Sequence, residues 1–263
     1  MGTATPIEAH YRVDGPPGAP VLVLSHALGL SMAMWDPQLA GLSRALRVVR
    51  YDHRGHGGSP VPPGPYTIGE LGRDLLKLLD RLGLERVSFC GVSLGGMVGL
   101  WLAANAPERV DRLVLCGTAA RMPRPEDYAA RAKLVRQRGM AAIADSVIGR
   151  WFTPAFPDRR PDLVAWIRSL LLATQPEGYA GACEAVASMD LREDLARIGA
   201  PTLLIAGAED PATPPELSRE IDRRLKSATV VVIPGASHLA TIEQPEAISG
   251  RILAQVTSSA GGD

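Results

Sequence analysis

The tract Gly91-Val92-Ser93-Leu94-Gly95-Gly96 constrains this chain more than any other stretch of its 263 residues. Val87 to Gly91, just before the serine, reads as a buried strand, and Leu94 to Asn105, just after it, reads as a helix. The tract joining them is therefore a sharp strand-to-helix turn with Ser93 at its apex. Such a turn strains the serine backbone and lifts the side chain clear of the sheet edge. Gly91 and Gly95 lie two residues to either side, where a Cβ would crowd the junction. A serine presented in this way is a candidate nucleophile.

Runs of the same kind recur on both sides of this turn. VLVLSH (21–26), VVRYD (48–52), RLVLCG (112–117), TLLIAG (202–207) and TVVVIPG (229–235) read as strands. Between them, 39–46, 68–82, 215–225 and 245–256 read as helices; Leu71, Leu75, Leu78, Leu79 and Leu82 recur at helical spacing. Apolar, β-branched strands without alternation suit a sheet covered on both faces. Strands alternating with helices imply an α/β fold with a mostly parallel, doubly wound sheet.

The middle of the chain breaks the pattern. From 122 to 190 there is no strong strand, and 129–138, 140–149, 163–173 and 179–188 look helical. Pro123, Pro125, Pro154, Pro157, Pro161 and Pro176 punctuate the stretch. We expect a core domain from 1–121 and 191–263, with 122–190 inserted between sheet strands as a helical lid. Its natural place is over the C-terminal edge of the sheet, where open α/β sheets bind ligands.

Charge excludes some partners. Lys+Arg and Asp+Glu number 28 each, so nothing draws the chain to nucleic acid or to an anionic membrane surface. No apolar run approaches the ~20 residues a membrane helix needs, and the first fifteen residues lack the apolar core of a secretory signal. Cys90, Cys116 and Cys183 are odd in number and form no CxxC pair, so neither a disulfide framework nor a zinc site is expected. A reducing, cytoplasmic setting fits. The tail from Thr257 to Asp263 reads as a flexible end.

A serine hydroxyl needs a base to act as a nucleophile. His238 follows the strand 229–235 and so lies at the same sheet edge as Ser93. His10 reads as a surface residue, His53 and His56 as organisers of the loop 52–59, and His26 as a pocket-shaping residue at the end of a strand. The base in turn needs a carboxylate on its other ring nitrogen. Asp210, after strand 202–207, fills that place in chain order, with its neighbour Glu209 as the alternative. The position after strand 112–117 reads Cys116-Gly117-Thr118 and offers no carboxylate. The oxyanion formed on ester cleavage calls for N–H donors. The backbone N–H of Leu94, at a helix N-terminus, is one; the N–H of Leu28 is the expected second, with Ala27 as the alternative.

SHALG (25–29), YDHRGHGGS (51–59), GVSLGGMVG (91–99), IAGAEDPATP (205–214) and GASH (235–238) resemble the α/β-hydrolase family along the whole chain. The segments 99–122 and 139–154 are more narrowly similar to the 3-oxoadipate enol-lactonases of aromatic-acid catabolism, in the β-ketoadipate pathway. This resemblance implies a serine hydrolase that opens a small-molecule lactone, or another ester, with no metal and no organic cofactor. Esterases, arylesterases and cofactor-free perhydrolases share most of these strings, and a non-catalytic ligand-binding protein on the same scaffold is the rival outside enzymes. Ser93 excludes the relatives with an aspartate nucleophile. An enol-lactone of this kind carries a free carboxylate, which calls for a cation in the pocket. The insertion offers Arg121, Arg124, Arg131 and Arg150, with Trp151 and Phe152 to wall the ring; Arg131 and Trp151 are the substrate-binding candidates.

Overall fold

A computed structural model describes residues 5–258, so residues 259–263 of the expected flexible tail lie outside the described residues. Seven strands form one sheet: β1 (Tyr11–Asp14), β2 (Val21–Ser25), β3 (Arg47–Tyr51), β4 (Val87–Val92), β5 (Val110–Cys116), β6 (Thr202–Gly207) and β7 (Ala228–Ile233). Their spatial order is β1-β3-β2-β4-β5-β6-β7. Every neighbouring pair is parallel except β1 and β3. β4 and β6 are buried along their whole length, whereas edge strand β7 is only partly covered.

The helices are α1 (Asp36–Leu42), α2 (Ile68–Arg81), α3 (Leu94–Asn105), α4 (Pro125–Arg138), α5 (Ala141–Trp151), α6 (Phe156–Arg159), α7 (Pro161–Ala173), α8 (Pro176–Ser188), α9 (Pro215–Asp222), α10 (Ala240–Glu243) and α11 (Pro245–Thr257). α4 to α8 fall between the adjacent strands β5 and β6 as one helical insertion. Ala132, Val135, Ile143, Ala144, Ile167 and Leu171 of the insertion belong to the same apolar cluster as the sheet residues. The insertion therefore packs on the sheet layer rather than standing off it. No helix among the described residues is long and apolar enough to cross a membrane.

Sequence expectation and structure differ at the element edges for physical reasons. α4, α7 and α8 begin at Pro125, Pro161 and Pro176, two to four residues before the expected starts. These prolines open helices, where a missing N–H costs nothing, instead of separating them. Strand β1 was not expected; it is a four-residue antiparallel edge whose burial does not alternate cleanly.

Consecutive strands β3 and β4 lie on opposite sides of β2, so the chain reverses its direction of travel across the sheet there. Ser25, the last residue of β2, is level with Gly91 of β4. The loops leaving these two strands therefore diverge at the point where sheets of this kind leave a crevice.

Candidate active site

Ser93 stands at that crevice with φ 55° and ψ −113°, the only non-glycine residue with positive φ among the described residues. A conformation of this kind costs about 1–3 kcal/mol and persists only where its surroundings enforce it. Here the end of β5 does so: Ser93 N–H donates to Cys116 O at 2.8 Å, and Thr118 Oγ1 donates to Ser93 O at 2.8 Å. The flanking glycines are required by contact. A Cβ on Gly91 would lie 2.3 Å from the Gly95 carbonyl carbon, and one on Gly95 would lie 2.3 Å from Ser25 O.

His238, which lines the same pocket as Ser93, pairs with Asp210. His238 Nδ1 is 2.8 Å from Asp210 Oδ2, and both side chains are buried. Asp210 Oδ2 also accepts from Thr213 Oγ1 at 2.7 Å, while Oδ1 accepts the N–H groups of Ala212 at 2.7 Å and Thr213 at 2.9 Å. Burial raises the Asp210 carboxyl, but the His238 ring and these donors overcome it and hold the group at about 2. An ionised carboxylate only accepts, so His238 Nδ1 carries a proton and donates it to Asp210, leaving Nε2 as the ring nitrogen turned away from the carboxylate. Glu209 is exposed, and its side chain takes no part in this network.

Three of the other four histidines, His26, His56 and His10, have other duties, and His53 lies 3.0 Å through Nε2 from Ser25 Oγ. His26 Nε2 accepts the His53 N–H at 3.0 Å, and its Nδ1–H donates to Ala27 O at 2.8 Å. His56 Nε2 accepts the Gly29 N–H at 3.1 Å, and its Nδ1–H donates to Arg54 O at 3.1 Å. Both rings are buried with both nitrogens engaged, so neither has a lone pair free to act as a base. His10 is exposed and 2.9 Å from Asp52.

The same bonds separate the two oxyanion candidates after β2. Ala27 N–H points to Met34 Sδ at 3.3 Å and Gly29 N–H to His56, whereas the N–H of Leu28 meets no acceptor among the described residues. Leu94 opens α3, and the first N–H of a helix has no partner within the helix. Two unengaged donors thus flank the serine.

Ser93, His238, Leu28 and Leu94 line one pocket, together with Arg131 of α4 and Trp151 of α5. Arg131 lies over the ring of Tyr128 at 4.8 Å and donates to Tyr179 OH at 3.4 Å; no carboxylate pairs with it among the described residues. Arg150 lines the cavity as well. Arg121 and Arg124 do not: the first is 3.8 Å from Asp190, and the second pairs with Asp127 at 3.0 Å. Phe152 also turns away, stacking on Phe156 with centroids 5.0 Å apart. Sequence reasoning missed Tyr128, Tyr179 and Thr213. Tyr128 could have been found, because it sits three residues before Arg131 on one helix face.

Comparison with known proteins gives the family of this chain. The alpha/beta hydrolase family matches residues 22–251. The chain is 40% identical to 3-oxoadipate enol-lactonase 2 of Acinetobacter baylyi, over 94% of this chain and 92% of that protein. It is 33% identical to a Caulobacter sp. protein whose name assigns it to carbamate hydrolysis, RutD, over 96% of this chain and 97% of that one. Its structure superposes on the enol-lactonase from Burkholderia xenovorans LB400 with a TM-score of 0.93, at 44% identity, covering 96% of this chain and 97% of that one. The protein belongs to the alpha/beta hydrolase family and has its fold: a mostly parallel seven-stranded sheet flanked by helices, with a helical insertion between β5 and β6.

Proposed function

We propose that this hydrolase opens a lactone ring bearing a free carboxylate, and that its substrate is the enol-lactone of 3-oxoadipate, released as 3-oxoadipate in aromatic-acid catabolism. One observation carries the choice of substrate: the Arg131 guanidinium, without a carboxylate partner, lines the same cavity as Ser93 and His238. A half-buried cation held by two tyrosines is a ready counter-charge for an anionic substrate. The similarity to two named enol-lactonases supports the same choice.

In this mechanism His238 Nε2 takes the Ser93 proton as Oγ bonds to the lactone carbonyl carbon. The N–H groups of Leu28 and Leu94 hold the resulting oxyanion. The ring C–O bond then breaks, His238 returns the proton to the departing enol oxygen, and the enol tautomerises to a ketone. Water, deprotonated by His238, attacks the acyl-enzyme and frees both the acid and Ser93. Asp210 keeps the His238 ring in the required tautomer and stabilises its cationic form. Trp151 walls the ring, and residues 122–190 serve as a cap on the core formed by 1–121 and 191–263. The same reading sets the enzyme in the cytoplasm, with its three buried cysteines reduced.

The test is kcat/KM on the enol-lactone against a neutral aryl ester and an N-unsubstituted carbamate. Preference for the enol-lactone by at least ~100-fold is expected. Preference for the aryl ester would turn the reading to a general esterase, and preference for the carbamate would turn it to the activity named for the Caulobacter relative.

A further inference from the structure

The loops that carry His238 and Leu28 are both fastened to the helical insertion. His238 is held on either side. Its successor Leu239 donates its N–H to Trp151 O, at the C-terminus of α5, at 2.9 Å. Its predecessor Ser237 donates its N–H to Glu243 Oε2 at 2.5 Å. The other oxygen of Glu243 accepts the N–H of Thr153 at 2.8 Å and its Oγ1 at 2.7 Å. Glu243 therefore joins the residue before His238 to the turn that follows α5. At the second loop, Thr174, which ends α7, donates its hydroxyl to Gly29 O at 2.8 Å, sharing it with Leu170 O at 3.3 Å. Thr174 is buried, and Gly29 is the residue next to the free Leu28 N–H.

We propose that Thr174 and Glu243 are positioning residues through which the insertion sets the oxyanion donor Leu28 and the base His238, so that the site is complete only while the insertion is seated. The inference rests on the serine-hydrolase reading above. Neither residue lines the cavity, so neither touches the substrate. Each bond restrains a backbone segment one residue from a working group, and displacements well below 1 Å at such groups slow acyl transfer without altering ground-state binding. An insertion that merely walled the pocket would act on KM alone. One that holds both loops acts on kcat.

The experiment uses the full chain with p-nitrophenyl acetate as substrate and melting temperature measured beside the kinetics. Thr174→Val keeps the shape and removes the donor; Thr174→Ser keeps the donor; Glu243→Gln replaces one acceptor oxygen with an amide nitrogen. Thr174→Val and Glu243→Gln should each lower kcat about 10-fold with KM within two-fold of the parent, and Thr174→Ser should recover kcat to within two-fold. Butylboronic acid, which bonds to Ser93 and places an oxygen at the oxyanion position, should bind Thr174→Val about 10-fold more weakly, while butyrate binds it unchanged. Folded variants with parental kcat, or kcat losses with unchanged boronate affinity, would overturn the proposal. If Glu243→Gln does not fold, Thr153→Val, which removes a single hydroxyl contact with Glu243, decides its half by kcat and KM, and if Thr174→Val does not fold, Thr174→Ala decides the other half by kcat and boronate affinity. Parental turnover by Ser93→Ala would instead defeat the underlying hydrolase reading.

Discussion

Asp210 Oδ2 lies 2.8 Å from His238 Nδ1, in a carboxylate that also receives one hydroxyl and two backbone N–H groups. This is a fully occupied acceptor, and its occupation fixes the tautomer of the ring. Asp210→Asn keeps the shape but turns a donor toward Nδ1, which moves the proton to Nε2, where a lone pair is needed. A fall in kcat of about 10³–10⁴ is expected, with the fold retained. Steady-state kinetics together with far-ultraviolet circular dichroism check both halves of the statement.

Arg131 bears on specificity. A charge-assisted hydrogen bond to a carboxylate contributes about 1.5–3 kcal/mol, or roughly 10- to 100-fold in affinity. Arg131→Gln should therefore lower kcat/KM on the carboxylate-bearing lactone by that factor and leave a neutral aryl ester within about three-fold. The ratio of the two kcat/KM values in parent and variant is the measurement. Equal losses on both substrates would assign Arg131 to cavity architecture.

The buried histidines predict acid sensitivity of the fold. Burial pushes the His26 and His56 imidazoles down, His56 to about 3, where the neighbouring His26 ring adds to the effect of burial. The Asp52 carboxylate acts in the opposite sense on both without prevailing. In the unfolded chain these groups return to about 6.5. Below that pH the unfolded state binds more protons, so stability is full above about 6.5 and declines as pH falls toward the folded-state values. Melting temperature should be flat from pH 8 to 7 and drop steadily from pH 6.5 to 5. His56→Gln, whose amide oxygen accepts the Gly29 N–H without titrating, should flatten part of that slope.

The parts of the fold and site that were legible in the sequence were those with local causes. The strands around Ser93 and the glycines at 91 and 95 follow from short-range patterning, whereas the choice of Asp210 and His238 rests on their places after strands 202–207 and 229–235 and on the resemblance to the family. Expectation missed where the deciding contact was distant. The preference for Leu28 over Ala27 has its physical reason in a contact the sequence does not display, the Ala27 N–H meeting Met34 Sδ seven residues on. Phe152 looked as available as Trp151 because its partner Phe156 belongs to a helix too short to announce itself. The links from Thr174 to Gly29 and from Glu243 to Thr153 span 145 and 90 residues and leave no periodic trace. The prolines at 125, 161 and 176 punctuate the sequence as breaks would, yet each opens a helix, because the first turn of a helix needs no N–H from them.

Ser93 carries the last prediction, in which activity and stability oppose each other. Its φ of 55° is held by Cys116 O and Thr118 Oγ1 against the preference of an L-residue. Glycine adopts that conformation freely, so Ser93→Gly releases about 1–3 kcal/mol of strain. Greater freedom of glycine in the unfolded chain offsets about 0.5–1 kcal/mol of that gain. A net stabilisation of about 1 kcal/mol raises the melting temperature of a domain this size by roughly 2–4 °C. Ser93→Gly should therefore melt above the parent while losing at least ~10³-fold in kcat. Ser93→Ala should lose the same activity without the rise in melting temperature, because its Cβ keeps the strain. Differential scanning calorimetry of the two variants separates backbone strain from loss of the hydroxyl: equal melting temperatures would show that the turn is not strained by its side chain.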